Sequence, residues 1–122
     1  ALKNARKVGA TVITGMEIKL KGVLESIKKA IEIAGRGTDA IYVSVCSDVL
    51  DVAHNPGGPA DPCGLTSFEL ALALYECGKA KCEALDYVEI YPPQDPNNVS
   101  SHVAVWMAIY LLAGVVERRF NL

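Results

Sequence analysis

Ala40-Ile41-Tyr42-Val43-Ser44-Val45-Cys46 is a nearly unbroken apolar run, and Ser47-Asp48-Val49-Leu50-Asp51 follows it directly. Bounded by turn residues, such a run predicts a strand over residues 40–46 covered on both faces, the position of a central strand in a parallel sheet. Side chains alternate along a strand, so Cys46 and Asp48, two residues apart, are expected on the same side of its carboxyl end.

Two further strand-and-helix units flank this one. Upstream, the β-branched residues 10–14 predict a strand. Residues 18–34 follow as a helix, with Leu20, Val23, Leu24, Ile27, Ala30, Ile31 and Ala34 at steps of three and four, ended by Gly35-Arg36-Gly37. Downstream, residues 48–65 form a loop with three prolines and three glycines, long enough to suggest a functional rather than an idle segment. Thr66-Ser67-Phe68-Glu69 carries the signature of a capping box and opens a helix to Cys77, stopped at Gly78. A third strand is expected over residues 85–91, ended by Pro92-Pro93. The loop 94–98 then leads into a helix over residues 99–119, apolar nearly all round in its centre and so expected to be covered on several sides. Strands alternating with helices imply α/β architecture in three α/β/α layers around a parallel sheet.

The 122 residues amount to one domain, and 51% hydrophobic with 21% charged residues is the balance of a folded chain. A net charge of −2 provides no basic footprint for nucleic acid and no polybasic membrane signal. The longest apolar run, residues 103–116, falls short of the roughly 20 residues needed to span a bilayer. Neither nucleic acid nor membrane is expected as a partner, and the cytoplasm is the expected location. The four cysteines, Cys46, Cys63, Cys77 and Cys82, lack zinc-finger spacing and are expected to be reduced. The chain does not begin with Met, and residues 1–8 read as the tail of a helix already in progress, which suggests a fragment or a processed product.

Ligands of open parallel sheets sit at the carboxyl ends of strands, and two such ends here carry acids: Asp48 at the second strand and Glu89 at the third. A carboxylate inside an apolar strand is costly unless it meets a cation. Simpler roles compete: Asp48 as a loop cap, Asp51 in an Asx-turn, Cys46 as a small core residue, Glu89 in a salt bridge. His54 and His102 have no second histidine at ligand spacing and are read as ordinary histidines.

The order of these motifs resembles one family. An aspartate-bearing strand end, a Leu50-Asp51 step, a Pro/Gly loop ending Cys63-Gly64-Leu65-Thr66, a helix, and then Val88-Glu89-Ile90-Tyr91-Pro92 is similar to the ureohydrolases: arginase, agmatinase and formimidoylglutamase. The likeness runs from about residue 5 to 118 and matches only the C-terminal two-fifths of a typical member. It implies a metal-dependent hydrolase of linear amidines such as agmatine, arginine or formimidoylglutamate, with a binuclear Mn2+ centre. It implies a metal-ligand role for Asp48, and places Cys46 where the family has a second metal-binding aspartate. A thiolate is soft where manganese prefers hard donors, so a different metal, a weakened site and no metal all stay open. Glu89 falls on the glutamate that pairs with the substrate's guanidinium or formimidoyl group, and Thr66 on a threonine near the substrate. The family's remaining metal ligands precede the matched region, so this chain alone is expected to be inactive.

The resemblance also implies that residues 10–14 lie at a sheet edge distant from the other two strands, which are neighbours. Strand edges and a helix face left bare in this way favour association, and a homo-oligomer is expected. Two other readings stand beside the enzyme: a degenerate, non-catalytic domain kept for assembly, and a Rossmann-like binding module. Thr14-Gly15-Met16-Glu17 lacks the dinucleotide-binding glycine pattern and argues against the last.

Overall fold

The computed structural model describes residues 2–121. Its elements, in chain order, are α1 (Leu2–Lys7), α2 (Gly15–Lys21), α3 (Val23–Ala34), β1 (Ile41–Cys46), α4 (Ser67–Lys79), β2 (Cys82–Val88) and α5 (Val99–Phe120). β1 and β2 pair in parallel, with Ile41 opposite Cys82 and Cys46 opposite Val88. The fold is α/β with a parallel sheet, and the described residues contribute the sheet segment and one helical layer of the three-layer arrangement.

The core lies between the sheet and that layer. Val45, Leu50, Leu70, Ala71, Leu74, Cys77, Cys82, Met107 and Leu111 form a continuous buried cluster, with Ile27 and Ile31 of α3 packed against it. The alternate strand residues Tyr42, Ser44, Ala84 and Val88 lie exposed on the opposite face. α4 and α5 approach so closely that a Cβ on Gly78 would lie 2.1 Å from the Leu111 carbonyl oxygen, and one on Gly114 2.2 Å from that of Tyr75. Glycine at both positions lets the two backbones touch.

α4 begins as its sequence predicts. The Thr66 hydroxyl accepts from the Glu69 amide at 3.1 Å while the Glu69 carboxylate accepts from the Thr66 amide at 2.7 Å. α5 is capped from outside its own first turn: the Asp95 carboxylate accepts from the Ser100 and Ser101 amides, each at 2.8 Å. Burial pushes the Asp95 carboxyl upward, but these bonds and the serine hydroxyls outweigh it and hold the group below the usual carboxylate range.

Five expectations need correction. Residues 10–14 are not a strand: among the described residues nothing pairs with them, and a β-branched segment without a ladder partner is not sheet. The helix expected over 18–34 is two helices, because Gly22 takes φ 92°, ψ 148°, which no helix contains. α2 also starts earlier, at a second capping box in which Thr14 and Glu17 exchange bonds. The third strand spans Cys82–Val88 rather than 85–91, since its register against β1 ends at Val88 and Glu89 turns the backbone to φ 68°. Finally, α5 is covered on one side only. Ser100, Met107, Leu111 and Gly114 are its buried residues, while Val105, Leu112 and Phe120 stand exposed. By length and composition alone, the stretch Pro96–Phe120 meets the requirement for crossing a bilayer; within the described residues its contacts are with α4 and β2.

Candidate active site at the carboxyl edge of the sheet

β1 and β2 are parallel neighbours ending in register, so whatever follows each strand is delivered to one edge. Cys46 is the last residue of β1, and a 3-10 turn, Ser47–Val49, follows, carrying an exposed Asp48. Beyond β2, Glu89 and Tyr91 occupy the same edge. The Tyr91 hydroxyl donates to the Glu89 carboxylate, and this bond raises the phenol above its ordinary range, helped by the charges of Glu89, Asp48 and Cys46. Burial raises the Cys46 thiol, and the negative charges of Asp48 and Glu89 push it further, against a lowering contribution from the Asp48 amide. The structure therefore brings Cys46, Asp48 and Glu89 together, with Tyr91 as a fourth member.

Thr66 lies apart from this group in what it does. Its hydroxyl is committed to the α4 cap, and Glu69 in the same box is ion-paired with Lys19 at 2.7 Å. The preceding Leu65 is bridged to Leu50, with its amide donating to the Val49 carbonyl at 2.8 Å, so the return of the long loop is fixed just beyond Asp48. Asp51 closes that loop as an Asx-turn: its carboxylate accepts from the Ala53 amide at 2.9 Å and the Cys63 amide at 2.7 Å. Those two amides hold its carboxyl below the ordinary range. His102 accepts a hydrogen bond from the Trp106 indole at 3.1 Å. All four cysteines are free thiols.

Three contributors escaped the sequence reading. Tyr91 stands inside the Val-Glu-Ile-Tyr-Pro motif, whose composition points to strand. Ser47 and Asn55 are completely or almost completely buried. Asn55 Nδ2 donates to the Ser47 carbonyl at 3.1 Å and to Ser47 Oγ at 2.9 Å, and Ser47 Oγ donates to the Glu89 carbonyl at 2.5 Å. Asn-Pro-Gly-Gly at 55–58 was the available signal, since a polar residue opening such a turn often bonds to backbone.

Chemically, the edge concentrates negative charge. Among the described residues, neither Asp48 nor Glu89 forms an ion pair with any Lys, Arg or His. Two carboxylates without cationic partners, beside a phenol, suit a cation: an amidinium, a guanidinium or a metal ion. The donor chemistry suits a metal only in part. Asp48 offers the hard oxygen that manganese or magnesium takes, whereas the Cys46 sulfur is a soft donor that neither prefers. No three His, Cys, Asp or Glu side chains among the described residues are grouped to hold an ion. An apolar groove of about 470 Å³ between α4 and α5, lined by Phe68, Val103, Trp106 and Tyr110 among others, includes none of the edge residues.

Comparison with known proteins bears on the family. The family model described as the arginase family matches residues 1–114. A formimidoylglutamase of Halalkalibacterium halodurans is 36% identical over 114 residues, covering 92% of this chain and 36% of the relative. An agmatinase of Bacillus subtilis is 35% identical over 107 residues, covering 84% and 36%. The crystal structure of a formimidoylglutamase from Bacillus subtilis superposes with a TM-score of 0.86 at 32% identity, over 92% of this chain and 36% of that one. The chain thus spans a little over a third of the length of the curated relatives it matches. A family match over residues 1–114, together with the shared fold, establishes that the chain belongs to the arginase family.

Proposed function

We propose that this chain is the C-terminal portion of a metal-dependent hydrolase of linear amidines, cleaving a carbon–nitrogen bond in a substrate of the formimidoylglutamate, agmatine or arginine type. The observation that carries the reading is the pair of carboxylates, Asp48 and Glu89, at the carboxyl ends of adjacent parallel strands without cationic partners among the described residues. Names among the similar proteins include formimidoylglutamase and agmatinase, which sets the substrate class to be tested.

Asp48 is the residue of this chain that would hold a divalent metal, Mn2+ by family, with Cys46 a weaker second donor. When bound, such a centre supplies a water of lowered pKa for attack on the amidino carbon. Glu89 binds and orients the cationic end of the substrate by a charge-assisted hydrogen bond, and the Tyr91 hydroxyl fixes the rotamer of that carboxylate. Thr66 lies near the substrate in this reading and acts through the backbone it caps. The remaining metal ligands come from residues outside these 122, so the isolated chain is inactive. Its open strand edges and bare α5 face are covered by the rest of the domain, or by a second copy. The complete protein is read as a cytoplasmic homo-oligomer acting on a small molecule, with no nucleic-acid or membrane partner.

One observation favours a second reading. Cys46 puts a soft thiol where the family has a metal-binding aspartate, as in a domain that has lost its metal and is kept for assembly. Turnover of the full-length protein with formimidoylglutamate, agmatine and arginine, with and without added Mn2+, separates the two. Metal-dependent release of the amine from one substrate supports the enzyme. A folded, oligomeric protein that binds no divalent ion and turns over none of the three is the non-catalytic domain.

A further inference from the structure

Glu89 occupies an unusual backbone position. Strand alternation would place it on the face of Leu85 and Tyr87, beneath the helices. Instead its φ of 68° is in the left-handed region, which a non-glycine residue adopts only when its surroundings dictate it. The turn takes Glu89 out of the alternation, and its side chain is left exposed at the edge, bonded to the Tyr91 hydroxyl and within electrostatic reach of Cys46.

What imposes this conformation is a buried chain of hydrogen bonds running from the long loop. Asn55, 1% exposed, donates to Ser47; Ser47, 0% exposed, donates to the carbonyl of Glu89 itself. Burying two polar side chains is costly; Asn55 Oδ1 finds no partner, but the bonds that are made end on a strained residue. The loop glycines permit the closure. A Cβ on Gly58 would lie 2.3 Å from Asn55 Nδ2 and 3.0 Å from the Glu89 carbonyl oxygen. The Gly57 carbonyl accepts from the Tyr91 amide at 2.8 Å, so the backbone is gripped on both sides of the turn.

We propose that Ser47 and Asn55 are positioning residues which, by pinning the left-handed backbone of Glu89, fix its carboxylate for the cationic end of the substrate. The long loop is then a part of the specificity apparatus through its bonds to the Glu89 and Tyr91 backbone. This deepens the reading of Glu89 as the substrate-facing carboxylate and rests on it. A single amino acid outside the reacting groups, Ser47, links the metal-bearing strand end to the substrate-bearing one.

The test is a double-mutant cycle in the full-length protein, assayed on whichever of the three amidines it hydrolyses. Ser47→Ala and Asn55→Ala are expected to raise KM about tenfold, with a smaller change in kcat, the scale of one lost positioning hydrogen bond. Ser47→Thr keeps the hydroxyl and should remain within about twofold of the parent. In a Glu89→Gln background, Ser47→Ala should cost less than about twofold, because the group it positions has lost its charge. Equal losses in both backgrounds, with KM and kcat following loss of folded protein, would mean a purely structural role and overturn the proposal. If Glu89→Gln alone leaves kcat/KM unchanged, the role of Glu89 in substrate binding falls instead. The pinning itself is read independently of activity in crystals of Ser47→Ala, or of Asn55→Ser should that variant fail to fold. Departure of Glu89 from positive φ supports the proposal; retention near 68° overturns it.

Discussion

The two ends of this chain solve the same physical problem differently. From β1 onward, every regular element has a partner: β1 pairs with β2, α4 lies on the sheet, and α5 meets α4 at backbone distance. Before β1, α1 and α2 bury no residue at all, α3 buries only Ser26, and residues 10–14 pair with no strand among the described residues. Local signals are equally good in both halves, since α2 and α4 each open with a complete capping box. A helix is therefore specified locally, while its burial is decided by what it meets.

The largest expected effect that sharpens this contrast comes from glycine substitution in the full-length protein. Alanine in place of glycine in a helix ordinarily gains about 0.5–1 kcal/mol. At Gly78 or Gly114 the new methyl would meet backbone atoms of the opposite helix 2.1–2.2 Å away, and forcing the helices apart costs about 3 kcal/mol. The clash wins: Gly78→Ala and Gly114→Ala should destabilise by about 2 kcal/mol, lowering Tm by roughly 4–8 °C. Gly15→Ala, with nothing within 4 Å of the added carbon, should be neutral or raise Tm slightly. A drop in Tm for Gly15→Ala comparable to that for Gly78→Ala would show that residues outside this chain press closely on α2, and would break the contrast.

A smaller effect separates the halves by pH. The bonds from Thr14 lower the Glu17 carboxyl from its ordinary 4.5, and Lys19 followed by the Thr66 amide does the same for Glu69. A depressed carboxylate stabilises fully above its unfolded value and ceases to do so as pH falls through the folded one. Below about pH 4.5, both caps weaken. Helix α2, with no buried residue, should fray first, while the six buried residues of α4 keep it in place. Amide exchange, corrected for intrinsic rates, is expected to accelerate over residues 15–21 more than over 67–79 on acidification. Equal acceleration would mean that the caps, not the packing, hold α4.

The same contrast explains what could be read in advance. The capping box at Thr66 and the strand at residues 41–46 were legible, because each depends on a short local pattern; that Asp48 and Glu89 follow adjacent strand ends was legible from their order, but the 3-10 turn under Asp48 and the left-handed turn at Glu89 were not. The break at Gly22 was visible as a glycine, yet the apolar spacing continues across it and points to one helix. The box at Thr14 is equally visible, but the residues before it have the composition of a strand and mask it as a helix start. Val88 to Tyr91 reads as strand by composition. Only the register with β1 and the grip of Ser47 and Gly57 turn it off the sheet, and those are long-range contacts with no local signature. The one-sided cover of α5 is of the same kind, since an all-apolar helix announces that it will be covered without naming the partner.

The central claim, that the carboxyl edge of β1 and β2 is half of a metal-dependent amidine hydrolase site, is tested most directly by Asp48→Ala in the full-length protein, with bound metal and turnover measured on one preparation. Asp48 is exposed and outside the core, so the variant should fold. The account predicts that metal content and activity are lost together. A variant that keeps both its metal and its rate would contradict it.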